Sequence, residues 1–489
     1  MPQTSYTIKR LLLAATAPGI YFILFYYSRN FPIINSWEHV GFFVAYFLVL
    51  PIALFFIAHA LVKLKPFRPF KKYILTFLNV FTFLYLLKVF YYTGIEKDKI
   101  LLAFIIAVVV AYFLYKHVLK IIVFQFVLGV LALFGLGQTI VEYASISEDW
   151  RTQPDAIAKV TFTKKPNIYL IQTDGYANFS ELNKGYYNFN NSEFEAFLKG
   201  HDVTFYPQYR SNYSTTVESN VAMFNMKQHY YNKSLSHDEI YNGRNMIFTE
   251  NVVLDAFKNN GYKTYYVTET PYLIANRPTM GFDVNSLPYS EMKYIRNGAK
   301  RTHDIEAPFK RYLQEKEEVP KFFFLHMLNP WHITSAKNVT DRKESERENY
   351  LERLQETNKT LERIFTLIKK EDPNALVIFM ADHGGFVGMN TTSEKFTKNI
   401  DRDFQYSIFG ANLAIAWPAE APAYDSELKS SVNLFRVLFS YLSEDKTYLD
   451  HLEENGSYLI INKGAKEGIY QTIDEDGAVV FKPIKDLSF

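Results

Sequence analysis

The chain has 489 residues, enough for more than one domain and a sizeable core, and its formal net charge of +2 is close to balanced. Nothing in this charge indicates a nucleic-acid partner. The chain contains no cysteine, which excludes disulfides, thiolate metal sites and a cysteine nucleophile.

The first third of the chain predicts membrane helices. Five apolar stretches follow one another closely, and each is near the length that a helix needs to cross a bilayer. Lys9 and Arg10 resemble the start of a signal peptide, but no small-residue cleavage site follows, so we expect a retained anchor. The sequence therefore predicts a five-helix transmembrane domain over residues 1–143. Its spans cover residues 11–27, 40–62, 73–92, 100–115 and 121–141.

The basic residues predict how these spans are oriented. Lysine and arginine are concentrated in the segment before the first span and in the loops after the second and fourth spans. The other loops contain few basic residues, or contain acidic residues that offset them. Basic loops stay in the cytoplasm, so with five crossings everything after about residue 143 lies outside it. A missed or extra span would reverse this. We expect a protein of the cell (inner) membrane whose soluble part is extracytoplasmic (periplasmic).

Polar residues within membrane spans can mark a transport path. Lys88 and His59 are the clear candidates, and both lie near span ends, where their side chains can reach the interface. A transporter or channel is therefore not favoured.

The soluble part alternates short apolar strands with amphipathic helices. After a polar linker at residues 144–165, residues 166–489 begin with a strand at 168–171, which is followed by Asp174. A long amphipathic helix at 344–370 leads into another buried strand. This alternation predicts an α/β domain with a mostly parallel sheet and helices on both faces.

That second strand runs from Ala375 to Ala381 and ends in Asp382 and His383, followed by two glycines. Such an uninterrupted apolar run is typical of a parallel strand buried on both faces, and ligands bind beyond the carboxyl ends of these strands. An oxygen and a nitrogen ligand side by side suit a divalent metal such as zinc. The alternative is an ordinary strand-to-loop junction. For Asp174 the same choice lies between a ligand and a turn residue.

Two further segments carry candidate site residues. Thr215 and Thr216 stand in a hydroxyl cluster ahead of apolar residues, which predicts a helix N-terminus with a capping hydroxyl. The functional alternative is a threonine nucleophile at the positive end of that helix, where a phosphate would also be held. His326 and His332 follow the apolar run that begins at Phe322, so we expect both beyond a strand end.

These segments resemble membrane-anchored members of the alkaline phosphatase/sulfatase superfamily, especially lipoteichoic acid synthases and lipid A phosphoethanolamine transferases. The resemblance covers the whole architecture of spans, linker and extracytoplasmic α/β/α domain. Residues 167–174 resemble the family's first strand with its acidic metal ligand, residues 212–219 its nucleophile motif, and residues 381–384 its Asp-His-Gly metal motif, the most specific of the three. Spacing within the second motif favours Thr216 over Thr215.

The chain departs from the family's pattern at several points. Asp174 stands where the transferases usually carry Glu, although many sulfatase-like relatives have Asp there. The family's substrate-binding histidine stands in a His-x-Pro context, which this chain lacks, so the assignment is split between His332 and His326. No Cys/Ser-x-Pro-Ser-Arg motif, the source of formylglycine in true sulfatases, occurs. Ordinary sulfate-ester hydrolysis is therefore disfavoured.

The resemblance implies an enzyme that binds one divalent metal ion, zinc or alternatively manganese or magnesium, through Asp174, Thr216, Asp382 and His383. Close to such an ion the Thr216 hydroxyl loses its proton more readily. It would take phosphoethanolamine or phosphoglycerol from a phospholipid donor and pass it to an envelope glycan or lipid acceptor, with His332 or His326 assisting. A phosphodiesterase that uses water as the acceptor and a non-catalytic envelope binding module are the alternatives.

Overall fold

The computed structural model describes residues 7–92, 95–233, 239–295, 303–316, 318–333 and 342–484. The chain divides into two compact units. The first comprises Met1–Ile146, Ala275–Arg277 and Lys293–Arg296, and the second comprises Ser147–Ile274, Pro278–Met292 and Asn297–Phe489.

Helices make up the main body of the first unit. Four helical stretches are long and apolar enough to cross a membrane: Ile8–Ile34, Trp37–Leu61, Ile74–Tyr91 and Lys97–Arg151. The predicted membrane helices are thus present among the described residues, whereas the count of five is not established, because the last two predicted spans fall within one long stretch. The helices are α1 (Ile8–Ile34), α2 (Trp37–Val44), α3 (Leu50–Leu61), α4 (Ile74–Tyr91), α5 (Lys97–Leu114) and α6 (Val118–Ser145).

Two buried amide side chains inside this helical unit are paired with each other. Asn79 of α4 and Gln125 of α6 exchange two hydrogen bonds, of 2.8 and 2.9 Å, and Asn79 also donates to the carbonyl oxygen of Ala14 in α1 at 2.8 Å. A buried amide without such partners would be costly in an apolar environment. These contacts therefore hold α1, α4 and α6 together. Lys88 and His59 lie in the last turns of their helices, as the sequence predicts.

The second unit is an α/β domain. Its helices are α7 (Phe179–Leu182), α8 (Ser192–Lys199), α9 (Thr216–Asn225), α10 (Gly243–Phe248), α11 (Val252–Asn259), α12 (Glu306–Gln314), α13 (Lys343–Glu371), α14 (Arg402–Phe409) and α15 (Leu434–Ser443). Its strands are β1 (Ile168–Asp174), β2 (Thr204–Phe205), β3 (Lys263–Thr268), β4 (Val284–Asn285), β5 (Lys321–Pro330), β6 (Leu376–Ala381), β7 (Leu413–Ala416), β8 (Ser457–Ile461), β9 (Gly468–Ile473) and β10 (Val479–Pro483).

Seven strands form the main sheet, in the order β2-β7-β6-β1-β5-β3-β4. Strands β6, β1, β5, β3 and β4 run parallel, and β7 is antiparallel to both of its neighbours, so the predicted mostly parallel sheet is confirmed. Every residue of β1 and β6 is buried, as expected of central parallel strands covered on both faces. Strands β8, β9 and β10 form a separate antiparallel sheet.

The long helix α13 covers β6 through one apolar face. Its buried residues recur at helical spacing, which is the pattern that the amphipathic sequence predicts. Phe365 of α13 contacts Phe379 of β6, with ring centroids 5.3 Å apart. The same face carries Tyr350 near the start of the helix, where it is fully buried. Helix α13 therefore supports both β6 and the loop that follows it.

Residues 147–165, which composition assigns to a linker, pack on the second unit. Phe162 is buried in its core. Arg436 of α15, only 1% exposed, donates hydrogen bonds to Oδ2 of Asp155 at 2.6 Å and to Oε1 of Gln153 at 2.7 Å. The guanidinium group thus fastens this segment to the domain.

We predict that Arg436→Ala lowers the free energy of unfolding of this domain by about 3 kcal/mol, because it removes a buried guanidinium group and leaves the half-buried Asp155 carboxylate without its cation. The matched control is Arg363→Ala, which removes an ion pair with Glu306 whose side chains are 55% and 36% exposed. That change should cost no more than about 1 kcal/mol. Thermal unfolding of the two detergent-purified variants compares them, and equal melting temperatures would contradict the assignment.

Candidate active site

Three predicted metal ligands converge at one edge of the main sheet. Asp174 is the last residue of β1, and Asp382 and His383 directly follow β6, its parallel neighbour. Their ligand atoms all lie within 4.8 Å of one another, and the three residues are buried. Nε2 of His383 is 3.7 Å from Oδ1 of Asp174 and 3.5 Å from Oδ2 of Asp382. The structure therefore brings these three side chains together.

Backbone hydrogen bonds orient the cluster. Oδ1 of Asp382 accepts from the amides of Gly175 and His383, each at 2.9 Å. Nδ1 of His383 donates to the carbonyl oxygen of Gly384 at 2.8 Å, so Nε2 presents its lone pair to the carboxylates. Oδ2 of Asp382 and Oδ1 of Asp174 are buried without a hydrogen-bond partner among the described residues. Two such oxygens beside an imidazole nitrogen fit a divalent cation.

The electrostatics of the cluster also favour a bound cation. Burial raises the pKa of Asp174 well above its usual range, the nearby Asp382 carboxylate raises it further, and a hydrogen bond from the Thr216 hydroxyl opposes both effects. Two carboxylates this close repel each other when both are ionised, and a cation between them removes that repulsion. Burial also lowers the pKa of His383, which keeps its ring neutral, the state in which imidazole binds metals.

The two threonines occupy different positions. Thr215 is the N-cap of α9, and its hydroxyl accepts from the amide of Glu218 at 3.4 Å. Thr216 is the first residue of the helix, is buried, and lines the same cavity as Asp174 and His383. Thr215 thus supplies the capping hydroxyl, while Thr216 stands beside the cluster at the positive end of a ten-residue helix.

The two candidate histidines also occupy different positions. His332 follows β5, and its ring centroid lies 5.8 Å from that of His383. Its Nδ1 donates to the carbonyl oxygen of Ile333 at 2.5 Å, which leaves Nε2 as an acceptor. His326 is fully buried in the middle of β5. The prediction that both histidines lie beyond a strand end is wrong for His326, because β5 continues to pair with β1 past that residue, up to Pro330.

The glycine pair after His383 permits close packing against the protein. A Cβ atom on Gly384 would lie 2.3 Å from the carbonyl oxygen of Ser407, and one on Gly385 would lie 2.4 Å from Cε2 of Tyr350. Larger residues at either position would therefore displace the loop that carries Asp382 and His383. The close approach serves helices α14 and α13 rather than a ligand.

The cluster opens on a cavity of about 260 Å³. Sequence reasoning missed Lys395, which lines this cavity, is 8% exposed, and has its Nζ 5.5 Å from the ring centroid of Phe386. An ammonium group here can bind a phosphate oxygen. Lys395 lies in a short 3₁₀ helix, Thr392–Phe396, after the metal motif, and no spacing pattern marks it. Tyr272, the first residue of another short 3₁₀ helix, lines the same cavity and was missed for the same reason.

A family model described as "Sulfatase" matches residues 166–443, more than half of the chain. The C-terminal periplasmic domain of EcEptC from Escherichia coli is similar in structure, with a TM-score of 0.43 and 15% identity over 65% of this chain and 94% of that chain. The soluble domain of lipooligosaccharide phosphoethanolamine transferase A from Neisseria meningitidis has a TM-score of 0.37 and 14% identity over 58% of this chain and 91% of that one. A search of curated proteins finds no match.

Replacing Asp382 by Asn tests the cation site. We expect Asp382→Asn to keep an acceptor oxygen for the two backbone amides but to lose the charge, which should weaken the binding of divalent metal about tenfold or more. Equilibrium dialysis followed by elemental analysis of the purified protein measures this affinity. Asp372→Asn is the matched control, because Asp372 precedes β6 at the opposite end of the strand and accepts from Asn167 and Tyr169. Equal metal affinity in the two variants would contradict the site.

Proposed function

Because the chain belongs to the sulfatase family, we propose that it is a metal-dependent transferase that moves a phospholipid head group, phosphoethanolamine or phosphoglycerol, to an envelope glycan or lipid. The observation that carries this proposal is Thr216, a buried hydroxyl residue at a helix N-terminus that lines one cavity with Asp174 and His383 of the carboxylate–histidine cluster. The formylglycine motif of a sulfatase is absent from the sequence. The motif resemblance to membrane-anchored transferases suggests the class of donor.

Asp174, Asp382 and His383, with the hydroxyl of Thr216, are the residues that we assign to one divalent metal ion. Zinc is the first ion to test, because it accepts carboxylate oxygens together with an imidazole nitrogen, and manganese and magnesium are the alternatives. Bound there, the ion would lower the pKa of the neighbouring hydroxyl and stabilise negative charge on the phosphoryl group.

Thr216 and His332 have complementary roles in the proposed double displacement. First, Oγ of Thr216 forms a bond to phosphorus, the bond from phosphorus to the diacylglycerol oxygen breaks, and a phospho-threonine results. An acceptor hydroxyl then attacks phosphorus, and the bond to Oγ breaks. Each step moves one proton from the attacking oxygen to the leaving oxygen. Nε2 of His332 is the ring nitrogen that can accept that proton, because Nδ1 donates to the carbonyl oxygen of Ile333.

The first step also needs the phosphoryl group to be held. The N-terminal amides of α9 are at Thr216, and the ammonium group of Lys395 lines the same cavity. Both would attract the negative charge of the phosphoryl group. His326 is enclosed within β5, so we assign the proton transfer to His332 rather than to His326.

We propose that residues 1–143 cross the cell (inner) membrane five times and that residues 166–489, joined through 144–165, form the extracytoplasmic (periplasmic) catalytic domain. Near the end of α5, Tyr112 contacts Tyr73, the residue before α4, with ring centroids 6.0 Å apart. Near the start of α6, Ile122 shares an apolar cluster with the first turn of α4. Both contacts support a reversal of the chain at its 3₁₀ turn between α5 and α6, which makes each helix a separate span.

The phospho-threonine is the most specific consequence of this mechanism. After incubation of the metal-loaded, full-length protein with phosphatidylethanolamine or phosphatidylglycerol vesicles, mass spectrometry should find the head-group adduct on Thr216. Thr216→Ala should lose the adduct and slow release of diacylglycerol by about a thousandfold or more, as expected for loss of a nucleophile. Thr360→Ala, on the surface of α13 away from the site, is the control.

Each alternative gives a different result in this assay. Unchanged diacylglycerol release in Thr216→Ala would contradict the mechanism. An adduct that passes only to water would favour the phosphodiesterase. No adduct and no release from folded, metal-loaded protein would favour a non-catalytic binding module.

The natural absence of cysteine allows a direct test of the five spans. Single variants Arg68→Cys, Asp98→Cys and Lys116→Cys place one thiol between α3 and α4, in the first turn of α5, and between α5 and α6, respectively. In right-side-out membrane vesicles, an impermeant maleimide should label only Asp98→Cys, because the basic loops face the cytoplasm. After lysis all three should react. Labelling of Lys116→Cys from outside would contradict the reversal between α5 and α6.

A further inference from the structure

The candidate active site is continuous with a larger cavity of about 740 Å³. Four residues, Thr215, Tyr272, Thr392 and Lys395, line both cavities. A group held in the larger cavity can therefore extend into the smaller one toward Thr216. The other lining residues are Glu239, Thr391, Ser393, Phe396, Asn462 and Lys463.

The walls of this cavity are made mainly of hydroxyl, amide and charged groups. Phe396 and Tyr272 supply aromatic surface, and none of the described lining residues is aliphatic. An acyl chain requires apolar walls, whereas a sugar combines many hydroxyl groups with faces that pack on aromatic rings. The lining therefore suits a hydroxyl-rich ligand better than a lipid tail.

The balance of charge in the cavity is positive. Lys395 and Lys463 are on its wall, and Glu239 is the single acid among the described lining residues. The Glu239 carboxylate accepts hydrogen bonds from both terminal nitrogens of the buried Arg244, one at 2.9 Å. Arg244 therefore compensates the charge of this acid. The two lysines on the cavity wall favour an anionic ligand.

One wall comes from outside the part of the chain that matches the sulfatase family. Asn462 and Lys463 follow β8, whereas the family match ends at residue 443. Two backbone hydrogen bonds fix their position. The amide of Asn462 donates to the carbonyl oxygen of Phe396 at 3.0 Å, and the amide of Lys398 donates to the carbonyl oxygen of Lys463 at 2.9 Å. The small C-terminal sheet is thus joined to the segment that carries Lys395.

We propose that this larger cavity is the acceptor subsite and that it takes an anionic sugar, a phosphate-bearing unit of a glycan. Lys463, which lines only the larger cavity, would bind the anionic group, and Thr391, Ser393 and Asn462 would form hydrogen bonds with the sugar hydroxyls. This inference rests on the proposed function and narrows its acceptor from a glycan or lipid to an acidic glycan. It also gives the C-terminal sheet a role in specificity.

A turnover assay tests the role of Lys463. With phosphatidylethanolamine vesicles as the donor, we expect transfer to glucose 6-phosphate to be more efficient than transfer to glucose. Lys463→Ala should raise KM for glucose 6-phosphate about tenfold, the effect of losing a charge-assisted hydrogen bond, without changing diacylglycerol release in the absence of a sugar. Lys466→Ala, in the same turn and outside the lining, should behave as the unmodified chain does. An unchanged KM in Lys463→Ala would overturn the subsite.

A binding assay keeps this inference separate from the catalytic proposal. Ser393→Cys places the sole thiol of the chain on the cavity wall. Glucose 6-phosphate, but not glucose at the same concentration, should slow the reaction of this thiol with N-ethylmaleimide, and adding Lys463→Ala should weaken the protection. Equal protection by both sugars, or none by either, would overturn the acidic-sugar subsite even if Thr216 forms its adduct. Protection without any adduct would count against the transferase mechanism alone.

Discussion

Two buried carboxylates at the ends of neighbouring parallel strands are the constraint on which the catalytic unit depends. Asp174 and Asp382 each keep one oxygen without a hydrogen-bond partner among the described residues. Burying an ionised carboxylate costs several kcal/mol, and a second one nearby adds repulsion. A cation in the cluster would remove both costs, and the surrounding packing holds the three side chains in position for one.

That packing links several separate parts of the chain. The hydroxyl of Tyr350 donates to the carbonyl oxygen of Gly175 at 2.9 Å and accepts from the amide of Ala177 at 3.0 Å, while its ring fills the space beside Gly385. A single side chain of α13 thus braces the loops after both β1 and β6. Because the first loop directly follows Asp174 and the second carries Asp382, the contact of α13 with these loops helps to set the geometry of the cluster.

Sequence patterns predict the parts of this site in which local chemistry determines structure. The apolar run before Asp382 predicts a buried strand, and its neighbour in the sheet ends in Asp174. His326 shows the limit, because a strand ends where its long-range partner stops pairing, which adjacent residues do not reveal. Lys395 and Asn462 are brought to the cavities by loop and sheet contacts between distant segments, for which the sequence offers no periodic signal.

Similar physical reasons explain the differences elsewhere in the fold. Residues 147–165 are polar enough to read as a linker, yet Phe162 and the partners of Arg436 pack on the domain. In the first unit, hydropathy separates the last two predicted spans, whereas only a three-residue 3₁₀ turn, Tyr115–His117, lies between helices α5 and α6. Composition therefore predicts the type of structure well and its boundaries less well.

Anomalous diffraction from crystals of the zinc-loaded full-length protein tests directly whether the carboxylate–histidine cluster binds a metal ion. We expect a peak at the zinc absorption edge within about 2.0 to 2.2 Å of ligand atoms from Asp174, Asp382 and His383, with the Thr216 hydroxyl completing the coordination. A well-ordered cluster with no anomalous peak, or a peak bound by other residues, would contradict it.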